Sequence, residues 1–393
     1  MNHKYYPSLD NLSLTKNGIL HYFSSRLKLG GTSPKAITTR ILVIIGIAWL
    51  PLLIMTALQG QLFSEDIDIP FWKDFTSHIR FLIVIPLLIF AEISVDSNLK
   101  ELTAQFFKSG IIDEKDYHGF ELIMKKVGGL INSYLAHIII LLVIIVTLVL
   151  RWEKFQAEEV SIWYFLTGSQ SNSVSWGGFY FAFISMPFTQ FIIFRWMWRW
   201  VVWVFYFHKL SKLALKLNSS HPDKSGGLGF LGFPPGPFVQ VLFALAVLFS
   251  SVVAEKIFFL HEKLPDYYSL MVGFCVLSVI INLLPLLVFI TPLRVQRRKG
   301  FFEYSALIQE HHRQFDEKWF QRPHEGPLPG TPDVSSMADI NASFDVVKGM
   351  KVIPFDIKIM ISSILIAILP MLPLLAFEYN LVELIVKVVK MLA

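Results

Sequence analysis

The sequence predicts an all-α integral membrane protein with about seven transmembrane helices and a small helical cytoplasmic cap. Three features of the composition indicate this fold class: of the 393 residues 54% are hydrophobic and only 17% are charged, and the mean hydropathy is +0.54. Soluble domains carry about 25% charged and roughly 45–50% apolar residues. The single cysteine also excludes a disulfide framework. The composition therefore excludes a soluble globular enzyme, a disordered protein and a fibrous repeat.

A helix needs roughly 20 apolar residues to cross a hydrocarbon core of about 30 Å, because lipid offers no partner for a free backbone N–H or C=O group. Seven segments meet this requirement, six of them in a membrane domain at 41–293. The predicted spans are 41–58, 79–95, 130–150, 177–207, 238–258, 269–293 and 359–377. The preceding segment, 1–40, is too long and too polar for a cleavable signal peptide, so we expect the first span to be retained as an anchor.

Lysine and arginine concentrate in alternate loops. The segments 1–40, 96–129, 208–236 and 294–352 contain six, five, four and nine of them, whereas the intervening loops hold one or two each. Because cytoplasmic loops keep the positive charge, this asymmetry predicts a cytoplasmic N-terminus and an external C-terminus. It also accounts for the pI of about 9.0 without nucleic acid, and it favours anionic lipid of the inner leaflet as a partner.

Five tryptophans lie near the predicted span ends, where amphipathic rings prefer the headgroup layer. We expect them to be interface anchors first and ligand contacts second. They are Trp49, Trp72, Trp152, Trp163 and Trp176. In the last segment, 359–393, the span is followed at 381–392 by apolar residues at near-helical spacing, which predicts a helix on the external membrane surface.

The predicted cytoplasmic cap begins with the segment 96–129, where two amphipathic patterns are broken at a Ser-Gly pair, as in a helical hairpin. After the fourth span the apolar run continues past Lys209, Lys212 and Lys216. We therefore expect that helix to extend some turns into the cytoplasm.

The largest predicted cytoplasmic piece is the segment 294–358. It predicts two helices, near 300–320 and 336–349, on either side of a Pro/Gly linker. Two helices bury too little apolar surface for an independent core. This segment must therefore pack on the rest of the protein or on a protein partner.

Ionisable side chains at membrane depth cost roughly 2.5–3.5 kcal/mol each, so each needs a reason. In the fourth span Arg195 and Arg199 lie four residues apart beside a stripe of tryptophans, on which guanidinium groups stack. The pattern indicates an anion or lipid-headgroup site, a charge pair, or two side chains that extend to lipid phosphates. Glu92 in the second span is the expected partner, as a structural ion pair or a proton relay.

His137 in the third span is a hydrogen-bonded packing residue or a ligand.

The loop at 219–237 is rich in glycine and proline. Gly226 and Gly227 permit positive φ and the close approach of a phosphate, and His221, Asp223 and Lys224 supply charge. The GxxxxGK[ST] spacing of a P-loop is absent. The alternative interpretation is a rigid turn that leads the chain back into the membrane.

Two pairs of residues give a weak signal for a divalent metal ion. His221 with Asp223 in the loop and His312 with Asp316 on the first helix of 294–358 offer imidazole and carboxylate ligands, but not a dense ligand set. The identity of any cofactor stays open.

Two motifs carry a resemblance to a known family. The loop HPDKSGGLGFLG occupies 221–232 after a span rich in arginine and tryptophan, and DINASFDVVKGMKVIPFD occupies 339–356. With these motifs the chain resembles, over most of its length from Ile41 onward, an uncharacterised family of bacterial multipass inner-membrane proteins. The resemblance implies a bacterial inner membrane and supplies no catalytic residues.

Three functions fit these features. The first is a conduit or transporter for an ion or small anion, with Arg195, Arg199 and Glu92 as a polar path. The second is a scaffold or signalling protein whose cap docks a cytoplasmic protein partner, and a homo-oligomer is compatible with both. The weakest is a membrane-embedded enzyme acting on a lipid or phosphate ester, because no nucleophile adjoins a base and no HExxH or GxSxG pattern appears.

Overall fold

The computed structural model describes residues 34–155, 161–166, 173–233, 236–321 and 332–378. The N-terminal segment 1–33, the linker at 322–331 and the surface helix expected at 381–392 lie outside the described residues. Within them the chain is almost entirely helical, and seven helical stretches are long and apolar enough to cross a membrane. The all-α multipass membrane fold predicted from the composition is therefore confirmed.

The helices follow one another in the order of the predicted spans. In chain order they are α1 Pro34–Ala48, α2 Leu50–Leu58, α3 Phe75–Ile79, α4 Ile85–Lys108, α5 Tyr117–Ile131, α6 Tyr134–Phe155, α7 Trp176–Tyr180, α8 Met186–Leu210, α9 Val239–Leu260, α10 Tyr268–Leu283, α11 Ile290–Trp319, α12 Pro332–Lys348 and α13 Ile357–Ile368. The longer connecting turns are π-helical at Arg80–Val84 and Phe181–Ser185, and 3₁₀-helical at Leu284–Phe289 and Leu369–Phe377. Two short antiparallel strands pair as β1 Phe165–Leu166 and β2 Ser173–Val174.

The two ends of the bundle differ. At the end that we call the short-loop end, the connections 59–74 and 261–267 join neighbouring spans. At the opposite end, the arm end, α11 leaves the bundle and packs against α12, with 5.6 Å between the ring centroids of Phe301 and Phe344. We call these paired parts of α11 and α12, residues 301–319 and 332–348, the arm. The arm end is the end that the lysine and arginine distribution predicts to be cytoplasmic.

Two spans contain a π-helical turn immediately before a proline. Arg80–Val84 joins α3 to α4 ahead of Pro86, and Phe181–Ser185 joins α7 to α8 ahead of Pro187. A proline ring clashes with the carbonyl four residues earlier, and a wider turn relieves that clash. The two turns face each other, since the rings of Phe81 and Phe181 lie 6.3 Å apart.

The fourth span satisfies backbone carbonyls that prolines leave without a helical donor. Pro51 cannot donate to the Ile47 carbonyl, and the Tyr180 hydroxyl donates to it over 2.8 Å. Pro285 likewise leaves the Ile281 carbonyl free, and the Trp200 indole N–H donates to it over 2.9 Å. An unpaired carbonyl is costly in lipid, so these bonds tie the first and sixth spans to the fourth.

The expected extension of the fourth span as a helix is wrong. Helix α8 ends at Leu210, the chain turns at 211–213, and the residues 214–218 are not helical. Leu213 and Leu217 turn towards the protein, whereas Lys212 and Lys216 are exposed. The leucines of this stretch recur every second residue, which is the period of an extended chain rather than a helix.

One of the five expected interface tryptophans is enclosed by the protein instead of lying on its surface. Trp163 is fully buried, and its indole N–H donates to the Asp74 carboxylate over 2.8 Å. The same carboxylate accepts the Ser77 backbone N–H at 2.8 Å and caps α3. Trp176, at 76% exposure, keeps the surface position expected of an anchor.

The sixth span and the first helix of the arm are nearly continuous. A 3₁₀ turn at Leu284–Phe289 accommodates Pro285, and α11 then runs unbroken to Trp319 through the basic flank at 294–299. The helix expected at 300–320 thus begins ten residues earlier, at Ile290. The second helix of the segment, expected at 336–349, is Pro332–Lys348.

Candidate functional site

Three guanidinium groups surround one carboxylate near the arm end of the bundle. Arg199 Nη2 lies 2.9 Å from Glu92 Oε1, and Arg195 Nη1 lies 3.8 Å from the same oxygen. Arg40 Nη2 lies 2.7 Å from Glu92 Oε2. We call Glu92 and these three residues the arginine cluster. It joins α1, α4 and α8.

The cluster is enclosed by aromatic and apolar side chains. The Arg199 guanidinium lies 4.7 Å from the centroid of the Trp196 ring, and the Trp196 indole N–H donates to the Leu88 carbonyl over 3.2 Å. The side chain of Arg199 is only 3% exposed and that of Arg195 only 11%. The predicted pairing with Glu92 is confirmed, and these arginines do not extend outwards to lipid phosphates.

Positive charge exceeds negative charge in this buried region. Glu92 compensates one of the three arginines, and Asp96, one turn along α4, adds a second buried carboxylate that attracts Arg195. Among the described residues, Arg40 Nε is buried without a hydrogen-bond partner. Buried charge is expensive unless it is paired, so the cluster has the electrostatics of a site that accepts one more anion.

His137 is a packing residue in this structure. Its Nδ1 lies 2.7 Å from the Ser133 carbonyl oxygen, to which it can only donate, and its ring lies 6.3 Å from the ring of Phe191. The ring is buried. These contacts are those of the hydrogen-bonded packing residue considered from the sequence.

Backbone amides of the loop at 219–237 donate hydrogen bonds to the carboxylate of Asp223, a residue of the same loop. Asp223 accepts the backbone N–H groups of Ser225 at 2.8 Å, Gly227 at 3.1 Å and Gly229 at 2.8 Å. Partial burial opposes ionisation of this carboxyl, but these bonds and the nearby His221 together hold the pKa of Asp223 below its ordinary value. The amides that would cradle a phosphate are thus already occupied.

The two motifs that carry the family resemblance pack against each other. Lys224 has φ +54, and its carbonyl accepts the Lys351 N–H over 2.7 Å. A Cβ atom on Gly226 would lie 3.1 Å from Met350 Cε, and one on Gly232 only 2.5 Å from Phe355 Cα. Glycine is required at Gly232 because the backbone of the segment 350–356 lies against the loop there. The arrangement is that of the rigid turn considered from the sequence.

The two candidate metal-ligand pairs, His221 with Asp223 and His312 with Asp316, do not join into one group in the described part of the chain. In the part of the chain that the structure describes, no three His, Cys, Asp or Glu side chains form a group able to hold a metal ion. His312 and Asp316 lie on α11 beyond the point where that helix passes the loop at Gly300 and Ser219.

Sequence reasoning missed two arginines, the partly buried Arg40 and the buried Arg80. Arg40 is one of the six basic residues of the segment 1–40, and it completes the cluster. Arg80 lies in the π turn near the short-loop end, with its Nη1 3.1 Å from Met186 Sδ and its guanidinium 6.0 Å from the Phe181 ring centroid. The sequence does contain a signal for a buried Arg80: it is an arginine within the predicted span 79–95, six residues before Pro86.

Comparison of the chain with protein-family models, with curated proteins and with solved structures gives no match. The resemblance carried by the two motifs therefore stays a prediction.

Proposed function

We propose that this multipass membrane protein is a conduit for a small inorganic anion, with the arginine cluster as its binding site. The observation that carries the proposal is the excess of positive charge in the cluster, where three guanidinium groups face only two carboxylates, Glu92 and the neighbouring Asp96. Arginine side chains line the pores of anion and phosphate channels because they supply charge and several donors at once.

The geometry supports exchange of an anion at the cluster. Arg40 contacts Glu92 Oε2, whereas Arg199 contacts Oε1, so an entering anion can take the Arg40 contact while the Arg199 contact stays. Stacking on Trp196 keeps the Arg199 guanidinium in place during that exchange. Glu92 then acts as an internal competitor that the anion partly replaces.

The proposal includes a location. The chain resides in a bacterial inner membrane with its N-terminus and the arm in the cytoplasm, so the arginine cluster lies at the cytoplasmic mouth. The charge asymmetry of the loops supports this orientation.

Flux through reconstituted protein tests the proposal. The full chain in liposomes should carry chloride, nitrate or phosphate faster than potassium, and Arg199→Ala should abolish this flux while Arg199→Lys retains part of it. Arg313→Gln is the matched control. Arg313 is an exposed arginine on α11, and its described ion pairs are with Glu310 and Glu317, each one turn away on the same helix. Absence of anion flux in the wild-type protein, or full flux in a well-folded Arg199→Ala variant, would overturn the conduit.

A second function is favoured by the arm. Its helices contact mainly each other, and it exposes large apolar side chains such as Phe302 at 61% and Leu307 at 52%. We propose, as the alternative, that the arm docks a cytoplasmic protein. Cross-linking in cells from a residue of the arm should then capture a partner that is lost on Phe302→Asp. An adduct pattern identical to wild type would remove this alternative.

A further inference from the structure

A groove opens on the outer surface of the bundle between α5 and α8. Its volume is about 440 Å³. The residues that line it include Lys126, Gly129 and Leu130 on α5 and Trp198, Val201 and Phe205 on α8.

The middle of the groove is apolar and its polar groups are satisfied. The Trp198 indole N–H donates to the Leu130 carbonyl over 3.0 Å, so its ring closes one end of the groove as an apolar surface. Gly129 leaves the floor open, since a Cβ atom there would have no atom within 4 Å.

The opposite end of the groove is cationic. Helices α5 and α8 run antiparallel, because Leu130 contacts Trp198 while Gly119 lies against Leu213, three residues after the end of α8. Lys126 lines the groove, and Lys209 Nζ lies 5.3 Å from the centroid of the Phe205 ring one turn away.

We propose that this groove binds an anionic phospholipid, with one acyl chain along Val201 and Phe205 and the phosphate held by Lys126 and Lys209. From Trp198 to Lys209 the helix rises by about 16 Å, which suits the length of an acyl chain below its headgroup. The surrounding surface of α6 and α8 is apolar and faces lipid, so a lipid is the molecule that reaches the groove. The site is independent of the proposed conduit.

Native mass spectrometry of the detergent-purified full chain tests this site with two lipids of equal acyl chains, phosphatidylglycerol and phosphatidylcholine. Wild-type protein should retain phosphatidylglycerol in preference, and the double variant Lys126→Gln, Lys209→Gln should lower that retention by about thirtyfold, as expected for two lysines near a lipid phosphate. Lys125→Gln, an exposed neighbour that does not line the groove, should retain lipid as wild type does.

Two further measurements separate the parts of the site. Gly129→Leu should fill the groove and reduce retention of both lipids, because it removes the space for the chain. A millimolar excess of inorganic phosphate should not displace phosphatidylglycerol, whereas displacement would assign the lysines to free phosphate and overturn the lipid site. Equal retention of the two lipids by wild type, or unchanged retention in the double lysine variant, would also overturn it.

Discussion

Arg199 donates a hydrogen bond of 2.9 Å to Glu92 and so joins the fourth span to the second at a depth where neither charge can be left alone. Arg40 contacts the other oxygen of the same carboxylate, which brings the first span into the same contact. One acidic side chain thus holds three transmembrane helices together at the arm end.

Glu92→Ala should destabilise the protein strongly. It leaves the buried guanidinium groups of Arg195 and Arg199, and the partly exposed one of Arg40, without their shared carboxylate. Breaking a buried ion pair in this way costs about 3–5 kcal/mol. The thermal midpoint in detergent should fall, and chloride or nitrate should restore it in the variant more than in wild type, because the anion replaces the lost carboxylate. An unchanged midpoint would contradict the central role of Glu92.

Trp200→Phe should weaken the contact between the fourth and sixth spans. It leaves the Ile281 carbonyl without a donor inside the membrane, which costs about 1–3 kcal/mol. Adding Pro285→Ala supplies a backbone N–H four residues after Ile281, so the double variant should recover part of the loss. Trp176→Phe, at an exposed tryptophan, is the control. Strict additivity of the two changes in a thermal unfolding cycle would contradict this explanation.

The loop at 219–237 should lose stability in acid. Because the folded pKa of Asp223 is depressed, its contribution is fully present above the unfolded value of about 3.9 and is lost as pH falls through the lower folded value. Hydrogen exchange of the Gly227 and Gly229 amides should therefore rise, relative to the intrinsic rate, at the acid end. In Asp223→Asn these amides should exchange faster at neutral pH and lose the acid dependence; protection equal to wild type at both pH values would count against the carboxylate clamp.

Gly232→Ala should separate the loop from the segment 350–356. The new Cβ would lie 2.5 Å from Phe355 Cα, a backbone atom that cannot move aside cheaply, and such overpacking costs about 1–3 kcal/mol. Limited proteolysis after 350 should become faster. Gly46→Ala is the matched control, because a Cβ atom at Gly46 meets nothing within 4 Å. Equal proteolysis of the two variants would show that the packing tolerates the change.

The number and order of the spans follow from the sequence because apolar length is a local property of the chain. The pairing of Glu92 with Arg195 and Arg199 was also predictable, since all three lie towards the same ends of their spans. Arg40 was not, because its side-chain direction depends on how α1 is rotated in the bundle. That rotation is set by packing between helices and leaves no periodic signal.

The loop at 219–237 and the segment just after α8 show a second way in which the sequence pattern fails to predict the structure. Asp223 in a glycine-rich loop has the composition of a ligand site, and only the backbone path reveals that its oxygens bind the loop's own amides. The leucines at 213, 215 and 217 recur with a period of two, which does not match a helix. The long apolar helix before them nevertheless favours predicting that the helix continues.

The facing π turns before Pro86 and Pro187 set the rotation of the second and fourth spans about their own axes. A turn closed by i→i+5 bonds holds one more residue than an α-helical turn, and one residue corresponds to about 100° of rotation about the helix axis. Glu92 and Arg199 both lie after these turns, so their orientation towards each other depends on the extra residue in each helix. Removing one residue from either turn would rotate the residues that follow it by about 100° and turn one partner away from the other.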